Sequence, residues 1–382
     1  MPKIQSAVIG TGFMGRVHTE AIRRLGNVVV VAVAGSSLDR ANAFASANQI
    51  ERATGDWRDL ANDRAIQAVH ILTPNSLHHS MAVAFLKAGK HVLCEKPLAM
   101  SYAEAREMAD CAQANLLAHA TNHNLRYYPV VQHIRQMIAA GELGDILVVQ
   151  GTYSQDWLLY DTDYNWRVEE AANGSVRAVG DIGSHWMDMI QHLTGLPITA
   201  LCADLQTFHK LRKRPKGSVE TFTGKTLQPQ DYESVPIATD DFGAVLIRLG
   251  DRARGAFTVS QVSAGNKNRF QFEIYGAKAG VMWNQESPDQ LWIGHRNQPN
   301  QLLVKDPSLL AAAAAGFADL PGGHSEGYDD SHKQLFRRFY RRVADRSAAI
   351  EYPTFEDGAR GMKLLEKCLE SHRAGGWVRV SI

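Results

Sequence analysis

The sequence predicts an α/β protein with two different sheets. An N-terminal doubly wound parallel sheet is followed by a C-terminal α+β domain with a large, open, mostly antiparallel sheet. Two observations predict this: apolar strands alternate with helical spacing up to about Asn122, and strand follows strand later in the chain. Because 382 residues are long for one core and sufficient for two, we place the domains at residues 1–122 and 123–382.

The first domain contains apolar strands joined by helices. The predicted strands are Ile4–Ile9, Val28–Ala34, Ala68–Leu72, His91–Cys94 and Leu116–Thr121. The predicted helices are Met14–Leu25, Ser37–Ala47, Ser76–Ala88 and one that begins at Ser101. Gly89 suits the C-terminal cap of the third helix, and Glu104 completes a capping box with Ser101. The alternation implies right-handed crossovers and a parallel sheet.

In the second domain, strands joined by turns dominate. The predicted strands are Ile146–Tyr153, Ala244–Leu249, Ala256–Val262, Phe270–Tyr275 and Val281–Trp283. The predicted helices are Pro129–Ala140, Asp181–Leu193, Ser331–Val343 and Phe355–Arg373, with a helical turn or surface loop at Ala311–Ala315. A domain of this size cannot bury both faces of such a sheet, so we expect a homodimer or homotetramer.

Composition argues against several classes of protein. The chain carries 41 Lys and Arg against 40 Asp and Glu, which gives no electrostatic basis for nucleic acid or a membrane as the main partner. No apolar run approaches the roughly 20 residues of a membrane helix. The four cysteines form no CxxC pair or His-rich cluster. We therefore expect reduced thiols, no metal and, without a signal-peptide pattern, a cytoplasmic protein.

One basic segment stands out from this balanced charge. Lys210–Lys216 lies between predicted strands and contains a proline. This pattern favours a solvated hairpin, and phosphate binding is the alternative.

A glycine-rich loop between the first strand and first helix predicts a dinucleotide site of Rossmann type. Gly10 allows the tight turn, Gly12 lets a pyrophosphate approach the backbone, and Gly15 permits close packing of helix on strand. The helix N-terminus adds N–H groups and a positive dipole. A purely structural turn is the alternative. The cofactor contacts predicted for the loop are Gly10, Thr11, Gly12, Phe13, Met14 and Gly15.

The end of the second strand favours NADP over NAD. An acidic residue that would bind the adenosine ribose is expected about 20 residues after the last glycine, but the chain has Ser36 and Ser37 there. Arg40 follows and could bind a 2′-phosphate through its guanidinium group. The alternative is that Asp39 and Arg40 only begin a helix, in which case NAD is bound.

Five short motifs carry a resemblance to a known family. The first is Glu95-Lys96-Pro97, which follows the strand His91–Cys94. The others are Thr73-Pro74-Asn75 with His78-His79, Thr121–Arg126, Asn165-Trp166-Arg167 and Asp181–His185. Together they closely resemble the glucose–fructose oxidoreductase/inositol dehydrogenase/MocA (Gfo/Idh/MocA) family over nearly the whole chain.

The resemblance implies an oxidoreductase that oxidises or reduces one carbon of sugars, cyclitols and their derivatives. It implies that Lys96, Asp181 and His185 are the catalytic residues and that the Lys96–Pro97 peptide bond is cis. It also implies further cofactor contacts outside the glycine loop. These contacts are Thr73, Pro74, Asn75, His78, Glu95, Lys96, Asn124, Trp166 and Arg167.

The chemistry of these side chains is consistent with the resemblance. Oxidation of a secondary alcohol needs a base for the hydroxyl proton and a group that holds the oxygen. Asp181 and His185 are four residues apart and would share one face of a helix, and the reference pKa of histidine, about 6.5, suits proton exchange near neutral pH. Lys96 follows a strand at the sheet edge where open α/β sheets bind ligands. Taken singly, the three could be a surface lysine, a helix cap and a core histidine.

The substrate is the least determined part of the prediction. Tyr153, Gln155 and Trp157 are polar and aromatic groups of the kind that line sugar sites, and with Lys96, Asp181 and His185 they form the predicted substrate contacts. A sheet edge or subunit contact is the alternative for this stretch. Two features depart from the common family pattern, namely Asn173-Gly174-Ser175 in place of three glycines and a longer stretch from Thr207 to Thr239.

We therefore predict an NAD(P)-dependent oxidoreductase that transfers a hydride between the nicotinamide and a hydroxyl or keto carbon of a sugar, anhydrosugar or cyclitol. Two other functions remain open. An NAD-dependent glycosidase could use the same three residues, and a sensor could bind dinucleotide without turnover.

Overall fold

The computed structural model describes residues 3–217 and 228–381 and consists of two compact units. One comprises Met1–Asn124 and His332–Met362, and the other comprises Leu125–Ser331 and Lys363–Ile382. The late segment His332–Met362, which the sequence analysis placed in the second domain, thus packs with the first unit. The division into functional domains at residue 122 stays a prediction.

The first unit contains a six-stranded parallel sheet. Its strands are β1 (Ile4–Ile9), β2 (Val28–Ala34), β3 (Arg52–Thr54), β4 (Ala68–Ile71), β5 (His91–Cys94) and β6 (His119–Thr121). Their order in the sheet is β3-β2-β1-β4-β5-β6, and every pair is parallel. The predicted doubly wound sheet is confirmed, although β3 was missed because its three residues have no apolar pattern.

Helices connect these strands. They are α1 (Phe13–Arg23), α2 (Leu38–Ala47), α3 (Arg58–Asn62), α4 (His78–Lys87) and α5 (Tyr102–Ala114). The hydroxyls of Ser37 and Ser101 accept the N–H groups three residues on, which confirms both predicted helix starts. The helix predicted over Ser76–Ala88 is instead a short 3₁₀ turn, Asn75–Leu77, followed by α4.

The strand ends are level at the carboxyl edge of this sheet. Ile9 pairs with Ile71, Ile71 with Cys94, and Cys94 with Thr121. The residues that follow, Gly10, Leu72, Glu95 and Asn122, therefore stand side by side. Adjacent strands are about 4.8 Å apart, so the glycine loop and the Lys96 loop, two strands away, are separated by about 10 Å along the edge.

The second unit is built on a nine-stranded sheet. Its strands are β7 (Ile146–Ser154), β8 (Ile198–Gln206), β11 (Phe242–Leu249), β12 (Ala253–Ser260), β13 (Arg269–Gly276), β14 (Gly280–Asn284), β15 (Gln290–Gly294), β16 (Gln301–Val304) and β17 (Val378–Arg379). The order is β16-β15-β14-β13-β7-β12-β11-β8-β17, and the one parallel pair among these described strands is β7 with β12. The predicted open, mostly antiparallel sheet is confirmed.

The remaining helices are α6 (Pro129–Ala139), α7 (Glu170–Asn173), α8 (Ser184–Thr194), α9 (Ala312–Ala315), α10 (Tyr328–Ala344) and α11 (Phe355–Ala374). The prediction of one α-helix over Asp181–Leu193 is wrong at its start. Asp181 lies in a π-helical turn, Val179–Gly183, and α8 begins only at Ser184. The Asp240 carboxylate accepts the N–H groups of Arg177 and Val179 and so anchors the backbone that enters this turn.

Helix α8 packs closely on the sheet of the second unit. The Trp186 indole stacks on Phe257 with ring centroids 4.4 Å apart. A Cβ on Gly151 would lie 2.2 Å from the Gln271 carbonyl oxygen and 2.6 Å from Trp186 Nε1. The absence of a side chain at Gly151 thus allows the helix to approach β7.

The basic segment forms one strand of a hairpin, β9 (Leu211–Pro215) with β10 (Tyr232–Pro236). The sequence analysis predicted a solvated hairpin. The hairpin is present, but it is not fully solvated, because Arg212 is completely buried. Its guanidinium donates to the carbonyl oxygens of Leu158, Tyr160 and Asp163 and to Asp241. The part of the Thr207–Thr239 stretch from 218 to 227 lies outside the described residues.

Candidate active site

Two glycines of the loop after β1 are required by packing, and one faces open space. Gly10 has φ +126°, and a Cβ there would lie 2.6 Å from the Leu72 carbonyl oxygen. A Cβ on Gly15 would lie 2.4 Å from the Gly10 carbonyl oxygen. Apart from Gly12 and its two chain neighbours, no atom of the described residues lies within 4 Å of the Cβ position of Gly12, the N-cap of α1. This open space, at the positive end of an 11-residue helix, fits a pyrophosphate group.

The segment after β2 is small and polar. Ser36, Ser37 and Arg40 are exposed, and the Ser37 hydroxyl caps α2 by accepting the Arg40 N–H at 3.3 Å. The first carboxylate after the strand is Asp39, which lies in the first turn of α2. The strand end itself therefore has no acidic residue, as the sequence indicates.

Glu95, the residue before Lys96, is buried. One carboxylate oxygen, Oε1, lies 3.1 Å from His18 Nε2 and accepts from Asn122 Nδ2 at 2.6 Å. The other, Oε2, accepts the backbone N–H of Lys96 at 3.2 Å. Burial alone would raise the pKa of Glu95, but the hydrogen bond and charge of His18 and the charge of Lys96 outweigh it and lower the pKa to about 2. Both oxygens of Glu95 are thus engaged by the protein, which favours a positioning role over direct cofactor contact.

His78 occupies a similar place on the other side of the Lys96 loop. Its Nδ1 lies 3.0 Å from the carbonyl oxygen of Pro97, and its Nε2 lies 2.9 Å from that of Thr73. The Lys96–Pro97 peptide is cis, as the resemblance implies. The fully buried His78 ring therefore joins the loop after β4 to the loop after β5, and its predicted cofactor contact stays a prediction.

The other predicted contacts of the first unit lie near these loops. Pro74 precedes the 3₁₀ turn that begins with the buried Asn75. Asn124 is also buried, with its Nδ2 3.4 Å from His332 Nδ1.

In the second unit, Asp181 is held by two neighbouring side chains. Gln261 Nε2 donates to Asp181 Oδ2 at 2.8 Å, and Arg167 Nε lies 3.7 Å from Oδ1. The fully buried Gln261 also accepts from Arg177 Nη1 at 2.9 Å. Arg177 in turn forms a buried ion pair with Asp241. A continuous polar chain in the interior therefore fixes the orientation of the Asp181 carboxylate.

His185 lies four residues after Asp181, in the first turn of α8, and is 7% exposed. Its ring centroid is 6.3 Å from that of Tyr153 on β7. Further along α8, the buried Asp188 accepts from Arg126 Nε at 2.7 Å. Arg126, at the end of the Thr121–Arg126 motif, thus anchors the helix that carries His185.

Three predicted substrate contacts are connected through a residue that the sequence analysis missed. Asn268 Oδ1 accepts from the Tyr153 hydroxyl and from Gln155 Nε2, each at 2.8 Å. Trp157 Nε1 donates to Gln155 Oε1 at 2.9 Å. Burial and the nearby charge of Asp181 raise the pKa of Tyr153, so its phenol stays neutral and remains a donor. The result is an ordered group of polar and aromatic side chains within the second unit.

Trp166 and Arg167 form a 3₁₀ turn, Trp166–Val168, whose N-cap is Asn165. The Arg167 guanidinium carbon lies 4.5 Å from the centroid of the Trp166 ring. The same guanidinium group faces Asp181, so these two residues belong to the Asp181 surroundings. Their predicted contact with the cofactor stays a prediction.

Three residues of these groups were missed by the sequence analysis, namely His18, Gln261 and Asn268. Asn122 lay within the Thr121–Arg126 motif, but no role was assigned to it. His18 could have been noted, since it lies three residues after Gly15 on the helix that follows the glycine loop. Gln261 and Asn268 had no such signal, because only the strand pairing of the second unit brings them beside Asp181 and Gln155.

The parallel sheet of order β3-β2-β1-β4-β5-β6, with a glycine loop that leaves room for pyrophosphate, is typical of a dinucleotide-binding Rossmann domain. The model of an oxidoreductase family with an NAD-binding Rossmann fold (GFO/IDH/MocA) matches residues 4–123, and that of the GFO/IDH/MocA C-terminal domain matches residues 131–282. The chain belongs to the GFO/IDH/MocA family of oxidoreductases.

The similarity to known proteins extends over the whole chain. Levoglucosan dehydrogenase of Pseudarthrobacter phenanthrenivorans is 28% identical over 100% of this chain and 99% of its own length. A solved structure of levoglucosan dehydrogenase in complex with NADH and L-sorbose has a TM-score of 0.89, 28% identity and full coverage of both chains. An oxidoreductase from Sinorhizobium meliloti has a TM-score of 0.82 and 30% identity over 99% of this chain and 100% of its own.

The glycine loop generates a prediction that separates binding from folding. We expect Gly12→Ala to raise the Kd for NADH at least tenfold, because the added methyl group fills the space that the pyrophosphate would need. The free energy of unfolding should fall by less than about 1 kcal/mol, since the methyl group meets no protein atom. Fluorescence titration and urea unfolding measure the two quantities.

The control for this prediction is Gly15→Ala. Its methyl group would meet the Gly10 carbonyl oxygen, so stability should fall by about 1–3 kcal/mol. Native affinity for NADH in Gly12→Ala would contradict the proposed cradle.

Proposed function

We propose that this protein transfers a hydride between a bound nicotinamide dinucleotide and a hydroxyl or keto carbon of a sugar, anhydrosugar or cyclitol. The observation that carries the proposal is the position of Lys96 at the same sheet edge as the glycine loop, about 10 Å away at the strand spacing of a sheet. A dinucleotide that lies along this edge from Gly12 would place its nicotinamide within reach of Lys96. The levoglucosan dehydrogenase with bound NADH and L-sorbose supports the sugar-like class of substrate.

The oxidation requires two transfers from the substrate. The substrate carbon loses a hydride, its hydroxyl loses a proton, and a carbonyl group forms. The nicotinamide ring supplies the hydride acceptor when it is bound. The protein has to hold the substrate oxygen and accept the proton.

We assign the substrate oxygen to Lys96. Its backbone N–H is held by Glu95, and the next residue's carbonyl oxygen lies 3.0 Å from His78 Nδ1, so the residue is anchored on both sides. An ammonium group placed there donates hydrogen bonds to an alcohol oxygen and stabilises the negative charge that develops as the proton leaves.

We assign proton transfer to His185, with Asp181 as its charged partner in the same unit. An imidazole exchanges protons near neutral pH, and a nearby carboxylate stabilises its protonated form. Gln261 and Arg167 hold Asp181 so that its charge keeps one position. Tyr153, Gln155 and Trp157, ordered by Asn268, offer hydroxyl, amide and indole surfaces that suit a polyhydroxylated ring.

We expect Lys96→Ala and His185→Ala each to lower kcat by roughly 10²–10⁴-fold while the Kd for the dinucleotide changes less than threefold. Each removes a group proposed to touch the reacting atoms and not the pyrophosphate cradle. Steady-state kinetics and cofactor titration measure both quantities. His192→Ala is the matched control, because this half-buried histidine lies two turns further along α8, and it should keep its kcat. Near-native kcat in both test variants would remove the catalytic assignment.

Identifying the substrate requires a panel of anhydrosugars, monosaccharides and cyclitols, each supplied with NAD and with NADP. A dehydrogenase releases one reduced dinucleotide per oxidised substrate. A glycosidase cleaves its substrate without net release of reduced dinucleotide, and a sensor binds the dinucleotide without product. Stoichiometric reduced dinucleotide supports the proposal, and either other outcome overturns it.

We also propose that NADP is preferred over NAD. Exposed Ser36 and Ser37 follow β2 where an acid would repel a 2′-phosphate, and the Arg40 guanidinium can reach that position from the first turn of α2. A charge-assisted contact contributes about 1.5–3 kcal/mol, or roughly 10–100-fold in affinity.

This preference is measured as the ratio of kcat/KM for NADP to that for NAD. We expect a ratio of about 10–100, and Arg40→Ala should bring it to near or below 1. Arg64→Ala, which removes another exposed arginine of the same unit, should leave the ratio unchanged. A wild-type ratio at or below 1 that Arg40→Ala does not alter would establish NAD as the cofactor.

We further propose a homodimer or homotetramer formed through the outer face of the nine-stranded sheet. This face contains a groove of about 890 Å³ whose lining includes Gln150, Thr152, Leu246, Thr258, Gln271 and Glu273. Leu246 is 49% exposed in the isolated chain, which a second copy of the same face would cover.

We expect Leu246→Arg to lower the association state, because it places a charge on an exposed apolar side chain that the second copy would cover. Sedimentation at micromolar concentration measures the mass of each species. Leu116→Arg is the control, since this leucine is 75% exposed on the first unit and its substitution should not change the mass. A monomeric wild-type protein would contradict the proposal.

Within residues 3–217 and 228–381, no helix is both long and apolar enough to cross a membrane. We propose a cytoplasmic location, which the unpaired state of Cys94, Cys111, Cys202 and Cys368 supports.

A further inference from the structure

A buried polar network lies behind the Lys96 loop in the first unit. We call it the histidine network, and its members are Ser6, His18, His70, Glu95, Asn122 and Tyr340. Glu95 is 8% exposed, and the others are between 0% and 1% exposed. Of these six residues, Glu95 alone enters the chemistry proposed above, where it holds the backbone N–H of Lys96. Burying six polar side chains together costs stability unless each finds a hydrogen-bond partner. We therefore asked what the network does for the Lys96 loop.

The contacts run in one line from β1 to the Lys96 loop. Ser6 Oγ donates to the Ala68 carbonyl oxygen at 3.2 Å, and the Tyr340 hydroxyl donates to Ser6 Oγ at 2.7 Å. Tyr340 Oη is 2.8 Å from His70 Nε2, and His70 Nδ1 is 2.8 Å from His18 Nδ1. Hydrogen bonds then lead from His18 through Glu95 to the backbone N–H of Lys96.

Two of these contacts have a defined acceptor. Since the Tyr340 hydroxyl donates to Ser6, the Tyr340 oxygen is left to accept from His70 Nε2. Since an ionised carboxylate only accepts, Glu95 Oε1 accepts from His18 Nε2.

His18 holds the Glu95 carboxylate from α1. Glu95 Oε1 lies 3.1 Å from His18 Nε2, and a hydrogen bond to an ionised carboxylate is stronger than one between neutral groups. Asn122 Nδ2 donates to the same oxygen at 2.6 Å, so Glu95 Oε1 is held from two elements. Burial lowers the pKa of His70 well below its ordinary value, so its ring is held in the neutral form.

His18 also connects two parts of the site. It lies on α1, three residues after Gly15, on the helix whose first turn forms the proposed pyrophosphate cradle. Through Glu95 it reaches the amide of Lys96. One rigid helix therefore sets both the cradle and the start of the Lys96 loop.

We propose that His18 is a positioning residue for Lys96, acting through the Glu95 carboxylate. The proposal rests on the role assigned to Lys96 above. His18 touches neither the substrate nor the cofactor in this account, and its effect is to keep the Lys96 loop in the geometry in which the ammonium group meets the substrate oxygen.

The test replaces His18 in two ways. His18→Leu removes both ring nitrogens at similar volume, and we expect kcat to fall about 10–100-fold, because a misplacement of about 1 Å costs that much. The Kd for the dinucleotide should change less than threefold, since the glycine loop is untouched. His18→Gln keeps a donor near the position of Nε2 and should recover most of the loss. If His18→Leu lost activity only because the protein is less stable, the donor of His18→Gln would not restore kcat.

The matched control is His91→Leu. His91 is a buried histidine at the start of β5, the end opposite Lys96, and its Nδ1 accepts the Ala118 N–H at 2.9 Å. The same substitution there should lower stability and leave kcat unchanged. If His18→Leu is insoluble, His18→Asn, whose amide is too short to reach Glu95, replaces it in the comparison with His18→Gln.

A double-mutant cycle with Glu95 identifies the route. If His18 acts through the carboxylate, adding His18→Leu to Glu95→Gln should cost less than threefold in kcat. A full 10–100-fold further loss would show that His18 acts elsewhere and overturn the proposal, as would native kcat in His18→Leu. Lys96→Ala distinguishes this from failure of the proposed function. Activity retained in Lys96→Ala refutes the role of Lys96, whereas its loss beside a fully active His18→Leu refutes only the positioning role.

Discussion

The buried carboxylate of Glu95 is the constraint around which the first unit is organised. A negative charge removed from water must be met by donors, and Glu95 receives them from α1, from the loop after β5 and from the residue after β6. These three elements are separated by up to 104 residues of sequence, the distance from His18 to Asn122. Their relative positions are therefore fixed by one charged group as well as by the register of the sheet. The same carboxylate accepts the backbone N–H of Lys96 and so holds the start of the Lys96 loop.

The second unit also buries a carboxylate, but there two guanidinium groups surround it. Asp241 is buried between the guanidinium groups of Arg177 and Arg212, and its other oxygen accepts two backbone N–H groups. From this centre Arg177 reaches Gln261 and then Asp181, while Arg212 ties down the segment after Trp157. The same buried ion group thus supports both the proposed acid–base pair and the proposed substrate-contacting stretch. Burying charged groups costs stability in each unit. In both units, the hydrogen bonds that start from the buried charges lead to residues that the proposed chemistry uses.

The parts of the fold that could be predicted from sequence are those set by local rules. The glycine loop was recognisable because the spacing of Gly10, Gly12 and Gly15 occurred between a strand and a helix, and Ser101 marked a helix start by its capping box with Glu104. Lys96 followed from a strand end and a short motif. The parts that could not be predicted depend on distant contacts. The π-helical turn at Asp181 accompanies the Asp240 contacts with the preceding backbone, and Arg212 is buried because Asp241 and three carbonyl oxygens need its donors, although a run of basic residues usually indicates a solvated surface.

Direct transfer of a hydride between the nicotinamide and a carbon of a sugar-like substrate is the reaction on which the proposed roles of Lys96, Asp181 and His185 depend. The most direct measurement is turnover of an anhydrosugar deuterated at its ring carbons, in ordinary water, followed by mass spectrometry of the reduced dinucleotide. We expect one deuterium in each molecule of reduced dinucleotide, together with a slower hydride step than for the unlabelled sugar. Reduced dinucleotide without deuterium, or cleavage of the sugar without released reduced dinucleotide, would contradict direct hydride transfer.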